Sequence, residues 1–239
     1  MDASVTSNAG FATAKVGKGC VLDSRRALYH EEGSWLALAD MHFGYELNRA
    51  RQHGALLPQW GMAATEKRLN DLLAYYKPHT LILVGDIMDG GGSVKETLRL
   101  LKKVRECVAE LICVEGNHDR PALKREAGFT SFHLAGGFCF QHGHKFDKTT
   151  LASGAAQHIH VSGHEHPTLN LSDGAGLKLR MPALVQQRRK KSGLEVENWI
   201  LPAFSPWAGG AAYDAGHEHV ETWGCSDTRI LRKSLVRAV

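Results

Sequence analysis

The 239-residue sequence carries 29 Lys+Arg against 25 Asp+Glu, a formal net charge of +4, with 43% hydrophobic and 23% charged residues. That balance excludes an intrinsically disordered chain and fits one compact α/β domain or two small ones. The mild basicity accommodates a phosphate-bearing substrate, but a tight binder that neutralises many nucleic-acid phosphates would carry a larger cationic surface.

Residues 1–24 are polar and rich in small side chains, so a loosely held N-terminal lead-in is expected, followed by a single domain over 25–239. Strand-like runs then recur at Ala27–His30, Trp35–Asp40, Thr80–Gly85, Leu111–Glu115, Gly137–Gln141 and His158–Ser162. Met62, Leu69, Leu72, Leu73 and Tyr76 repeat at helical spacing and predict a helix over about residues 60–76, closed by Lys77-Pro78. A second helix is expected over about residues 93–108, with Ser93 as N-cap ahead of Glu96. LALAD and LILVGD are apolar until their last residue, as strands buried on both faces are. Strands alternating with helices imply βαβ units. After about residue 130 the chain turns to short strands and glycines, which reads as a second, more antiparallel sheet.

No apolar run approaches the roughly 18 residues of a membrane span, and the N-terminus lacks the apolar stretch of a signal peptide. Cys20, Cys107, Cys113, Cys139 and Cys225 are scattered and never form CxxC, which argues against a disulfide framework or a cysteine zinc site. A cytoplasmic protein is the expectation.

The chemistry lies where the apolar runs end. The first strand closes on Asp40, Met41 and His42, the next on Gly85 and Asp86, and the third on Gly116, Asn117, His118 and Asp119. The later two end in His142, Gly143 and His144, and in Gly163, His164, Glu165 and His166. One Asp after a strand is an ordinary turn or cap residue. A series of metal-type side chains at successive carboxyl ends, the edge where open α/β sheets form sites, points to a shared centre. Two divalent ions about 3.5–4 Å apart clamp the attacking and leaving oxygens of a phosphoryl group. Such a pair needs a bridging carboxylate, for which Asp86 is the natural candidate, and mixed imidazole–carboxylate ligands suit Mn, Fe or Zn better than Mg or Ca.

As a set, DMH (40–42), GDIMD (85–89), GNHD (116–119), HGH (142–144) and GHEH (163–166) resemble the five motifs of calcineurin-like metallophosphoesterases. The resemblance implies an α/β fold of two packed mixed β-sheets flanked by helices, a four-layer αββα sandwich. It implies one metal held by Asp40, His42 and His166, another by Asn117, His142 and His164, and Asp86 between them. Water activated by the two metals would be the nucleophile. His118 would contact the phosphate or protonate the leaving oxygen. More narrowly, DMHFGYE, GHEHP (163–167) and LPAFSPWAGG (201–210) resemble the ICC-like, DNA-ligase-associated phosphoesterases. That branch implies Mn-dependent phosphodiesterase or nuclease activity, with Fe, Zn or Ni as other metals. It also implies a link to DNA repair and a DNA ligase or helicase partner. Met88-Asp89 departs from the histidine or other polar residue expected near the bridging Asp, and neither residue is a predicted ligand.

Other residues carry weaker signals. Asp119 is a candidate to orient His118 in catalysis or to cap a turn ahead of Pro121. Asn117, His144 and Arg49 are candidate substrate contacts, His144 alternatively bracing a ligand. His158 and His160 read as strand packing or surface. Glu46, Arg49, Arg51 and His53 follow the first motif, either as a helix rimming the site or as a solvated face. Arg188–Lys191, ahead of Ser192-Gly193, reads first as an exposed hairpin turn, with a nucleic-acid contact as the alternative. Trp207 offers either a stacking surface for a base or a core plug. The leading expectation is a two-metal phosphodiesterase acting on nucleic acid, with a short single strand favoured, or on nucleotides. A phosphomonoesterase or pyrophosphohydrolase is the alternative on the same centre, and an inactive interaction module the third.

Overall fold

The computed structural model describes residues 5–8, 10–54, 57, 60–145, 158–172, 174–176, 178–191, 194–213 and 219–236. Seven strands form the first sheet in chain order: β1 (Val5–Asn8), β2 (Phe11–Gly17), β3 (Cys20–Asp23), β4 (Ala27–His30), β5 (Trp35–Ala39), β6 (Thr80–Val84) and β7 (Glu110–Val114). Neighbours are antiparallel from β1 to β5, and β5, β6 and β7 run parallel. The described residues before residue 24 are therefore strands of the sheet and not a loose lead-in. FATAKVG alternates, so Ala12, Ala14 and Val16 turn inward and are buried while Lys15 and Gly17 face water.

Between these strands lie α1 (Tyr45–His53), α2 (Gly61–Tyr76), α3 (Val94–Arg105) and, after β7, α4 (Pro121–Ala127). Ser93 caps α3 as its spacing predicts, its hydroxyl accepting the Glu96 amide at 3.3 Å. α4, only 7 residues long, has no counterpart among the sequence expectations.

The second, mixed sheet has nine strands. Its path is β14 (Ala211–Ala212), β11 (Pro167–Ser172), β12 (Lys178–Lys191), β13 (Leu194–Ile200), β10 (Ile159–Ser162), β9 (Phe138–Phe140) and β8 (His133–Ala135). β15 (His219–Ser226) pairs with β12 and with β16 (Arg229–Val236). β12 is not short: its 14 residues pair with β11 at one end and with β13 and β15 at the other. Arg188–Lys191 is thus no turn but the last stretch of that strand, Arg188 standing opposite Glu197.

Strand alternation divides the packing. On β5, Trp35, Ala37 and Ala39 face the second sheet and meet Phe138, Phe140, Val161, Leu184, Trp199 and Trp223. Leu36 and Leu38 point the other way, with Leu81 and Leu83, into a core shared with Leu69 and Leu72 of α2, Leu100 and Leu101 of α3 and Leu123 of α4. Large apolar side chains buried this completely contribute about 1.5–3 kcal/mol each. The result is a helix layer on a sheet packed against a second sheet, with no helix after α4 among the described residues. The parallel strands β5, β6 and β7, and the parallel pair β9 and β10, bring their carboxyl ends to one edge of the sandwich.

Candidate metal centre

At that edge the backbone leaves ordinary strand geometry. Nine described non-glycine residues have positive φ, and five of them are Asp40 (55°), His42 (43°), Asp86 (46°), His164 (71°) and His166 (45°). Each such conformation costs about 1–3 kcal/mol and persists only where its surroundings hold it. Here the strand ends stay paired past the sheet. The Asp40 amide donates to the Gly85 carbonyl at 3.2 Å and the His42 amide to the Asp86 carbonyl at 2.9 Å. Two glycines permit the crowding: a Cβ on Gly116 would strike the Asp86 backbone and carboxylate, and one on Gly163 the Asp40 carboxylate.

The side chains gather in two adjoining sets. Asp40, His42 and His166 offer ligand atoms within 4.8 Å of one another, as do Asp86, His142 and His164. His42 Nε2 lies 3.3 Å from His166 Nε2, and His166 Nε2 3.5 Å from Asp40 Oδ1. In the other set His142 Nε2 is 3.1 Å from Asn117 Oδ1 and 3.2 Å from Asp86 Oδ2. That same Asp86 oxygen is 3.8 Å from His42 Nε2, so it faces a histidine of each set, while Asp86 Oδ1 accepts the His118 amide at 2.8 Å. Asp40 is steadied by the His164 amide, 3.0 Å from each of its oxygens.

Backing contacts set the ring orientations. His142 Nδ1 sits 3.3 Å from the Val84 carbonyl and His42 Nδ1 3.2 Å from Asp89 Oδ1, which turns both Nε2 atoms inward. Burial opposes charge on Asp86, yet hydrogen bonds from His142 and the His118 amide, with the charge of His42, hold its carboxyl below the ordinary range. Burial likewise opposes charge on His42 and His142, but Asp89, Asp40 and Asp86 outweigh it at His42, and Asp86 and Asp40 at His142, so both are raised. Imidazole nitrogens and carboxylate oxygens crowded together on strained backbone fit divalent cations. Their N and O donors suit transition ions rather than Ca²⁺.

Asn117 and His118 are exposed, and His118 Nδ1 lies 3.9 Å from Asp89 Oδ1 with its ring 5.0 Å from that of His42. Asp119 is turned away from His118: its carboxylate accepts the Met88 amide at 3.0 Å and the Gly116 amide at 2.8 Å, stapling the two loops. Asp89 is the residue that sequence reasoning misses. It contacts His42, neighbours His118 and is held by Asn48. Its one signal is a polar side chain three positions after Asp86, buried with 3% exposure.

Of the weaker candidates, His144 packs near His142 and His164, with ring centroids 5.2 and 6.2 Å away. Arg49 is engaged with Tyr45, donating from Nε to its hydroxyl at 2.8 Å, and Arg51 donates to the Gly91 carbonyl at 3.2 Å. Glu46 is buried and accepts the Met62 amide. The His53 side chain lies outside the described residues. His160 Nδ1 is 3.4 Å from Gln141 Nε2 on β10. The 201–210 loop is tied to the centre at several points. The Leu201 amide donates to Ser162, Phe204 to Ala39 and Ser205 to Asp40, and past the loop Ala211 donates to His166.

A family model described as calcineurin-like phosphoesterase matches residues 35–232. No curated protein matches the chain. Among solved structures, Pseudomonas putida nuclease MPE is similar with a TM-score of 0.61 at 20% identity, covering 97% of this chain and 100% of that one. YfcE, a phosphoesterase from E. coli, has a TM-score of 0.47 at 17% identity, covering 84% of this chain and 98% of that one. At 20% identity the likeness to the nuclease is one of fold.

Proposed function

Because this chain belongs to the calcineurin-like phosphoesterase family, we propose that it is a two-metal phosphodiesterase acting on nucleic acid or nucleotides. The observation that carries the reading is Asp86 Oδ2, 3.2 Å from His142 Nε2 and 3.8 Å from His42 Nε2, one carboxylate oxygen addressing both ligand sets. Asp40, His42 and His166 would hold one cation and Asn117, His142 and His164 the other, with the Asp86 carboxylate shared between the two sets. When bound, the pair supplies Lewis-acid charge for the phosphoryl oxygens and an activated water.

The chain's own groups do the rest. His118, at the open edge, contacts the phosphoryl oxygen and gives a proton to the leaving oxygen. Asp89 stands beside the His118 ring, its Oδ1 3.9 Å from Nδ1, and contacts His42 Nδ1 at 3.2 Å. Asp89 is thus a positioning residue for both His118 and His42, whereas Asp119 maintains the loop. All predicted ligands and His118 are present, which disfavours an inactive interaction module.

Mn²⁺ is the proposed metal, with Fe, Zn or Ni as substitutes, on the mixed ligand chemistry. The similar Pseudomonas putida protein is a nuclease, which supports nucleic acid over a small monoester. The ICC-like motifs support DNA repair and a ligase or helicase partner. Five scattered cysteines with no CxxC pair support a reducing, cytoplasmic setting, and no described helix is long and apolar enough to cross a membrane.

The test compares bis-p-nitrophenyl phosphate with p-nitrophenyl phosphate in the presence of Mn²⁺, with a chelator as control. The expected result is metal-dependent turnover favouring the diester. Preference for the monoester, or turnover that survives chelation, overturns the reading.

A further inference from the structure

Beside the centre stands a row of aromatic rings that the reaction itself does not use. Tyr45 follows His42 by three residues, and its amide donates to the His42 carbonyl at 3.0 Å. Trp207 sits in the loop that Ser205 ties to Asp40, its own amide donating to the Ser205 hydroxyl at 3.2 Å. Both rings are thereby mounted on the backbones of two proposed ligands. The Trp207 ring lies 6.2 Å from Tyr45 at 20° and 4.9 Å from Trp60 at 34°.

None of the three belongs to the cores between or behind the sheets. The row is rigid all the same. The edge of the Trp207 indole abuts Gly61, and the Glu46 carboxylate accepts the Met62 amide at 2.7 Å, which locks α1 to the start of α2. The Arg49 guanidinium covers Tyr45, its centre 5.2 Å from the ring centroid, so the open end of the row is Trp60, 49% exposed. Tryptophan is normally well buried, and one packed on a neighbouring indole yet half exposed to water suits a planar ligand.

We propose that the exposed face of Trp60, backed by Trp207, is a nucleobase-stacking subsite for an unpaired base of the substrate, an inference that rests on the phosphodiesterase reading above. The ligand is a nucleoside phosphodiester at a strand end or in a single strand, because a base within a duplex has no free face. Stacking on such a ring strengthens binding by roughly 5- to 150-fold per base without sequence preference. A subsite of this kind also fits the weak net charge of +4, since affinity then needs few phosphate contacts.

The test uses two diesters with one leaving group, thymidine 5′-p-nitrophenyl phosphate and methyl p-nitrophenyl phosphate, hydrolysed by the Mn²⁺-loaded protein. Wild type is expected to favour the nucleoside in kcat/KM. Trp60→Ala should cut that ratio at least about fivefold, and Trp60→Phe should keep most of it. A general defect lowers both rates and leaves the ratio intact, so an unchanged ratio in Trp60→Ala overturns the subsite. If wild type hydrolyses neither diester, the phosphodiesterase reading falls by itself. The subsite is then decided by binding of fluorescein-labelled oligothymidylate against an abasic oligomer of equal length, where equal affinities overturn it.

Discussion

With one oxygen facing both ligand sets and the other on the His118 amide, Asp86 has no substitute in the cage. Asp86→Ala should therefore release metal and abolish activity together. His118→Ala should retain the metals and lower kcat by about 10²–10⁴-fold, the usual contribution of a positioned acid. Metal content by plasma mass spectrometry beside diester turnover separates the two. Full metal content in the Asp86 variant contradicts the bridging role, and full activity in the His118 variant contradicts the acid role. The proposed ligands are legible because each is a polar side chain ending an apolar run, a signal that is local in sequence. Asp89 is not, since its work depends on a turn that brings it back to His42 and His118. Asp119 misleads for the converse reason: adjacency to His118 in sequence says nothing about a carboxylate that folds under the loop.

Among the elements, the turn after β7 is the least tolerant of change. A methyl group on Gly116 would meet the Asp86 backbone and carboxylate, neither of which can yield without moving the cage. Gly116→Ala is expected to destabilise by about 1–3 kcal/mol through overpacking and to weaken metal retention as well. Thermal melts with and without Mn²⁺ test this, and a variant that melts like wild type and is equally stabilised by Mn²⁺ would show that the loop can relax. The helices α2 and α3 are readable from apolar spacing and a Ser cap. The second strand escapes such reading because two of its inward residues are small: Ala12 and Ala14 fill space where two sheets approach, but scarcely register as apolar. β12 is hidden differently. Its final QQRRKK is polar, yet Gln186 and Gln187 are buried, Gln186 bonded to the Val16 carbonyl at 2.9 Å and to the Trp223 indole at 2.8 Å. Hydrogen bonding, rather than hydrophobicity, holds Gln186 inside.

For the molecule as a whole, packing decides which thiols can react. Burial pushes the Cys113 and Cys225 thiols up to about 12 and Cys20 beyond that, Cys139 is fully enclosed, and Cys107 alone is exposed. Titration with a disulfide reagent should count one thiol in the native protein and five after denaturation. A native count above one would mean that the core on one face or the other of the first sheet opens on the timescale of the assay.

The same division of the sandwich governs when the protein acquires its chemistry. The first sheet and its loops supply Asp40, His42, Asp86 and Asn117, and the second supplies His142, His164 and His166. During synthesis, the earlier portion leaves the ribosome with neither proposed cation site complete, for each draws at least one histidine from beyond residue 141. A nascent or prematurely terminated chain therefore lacks either complete ligand set, and the proposed centre exists only once the two halves of the translation product meet.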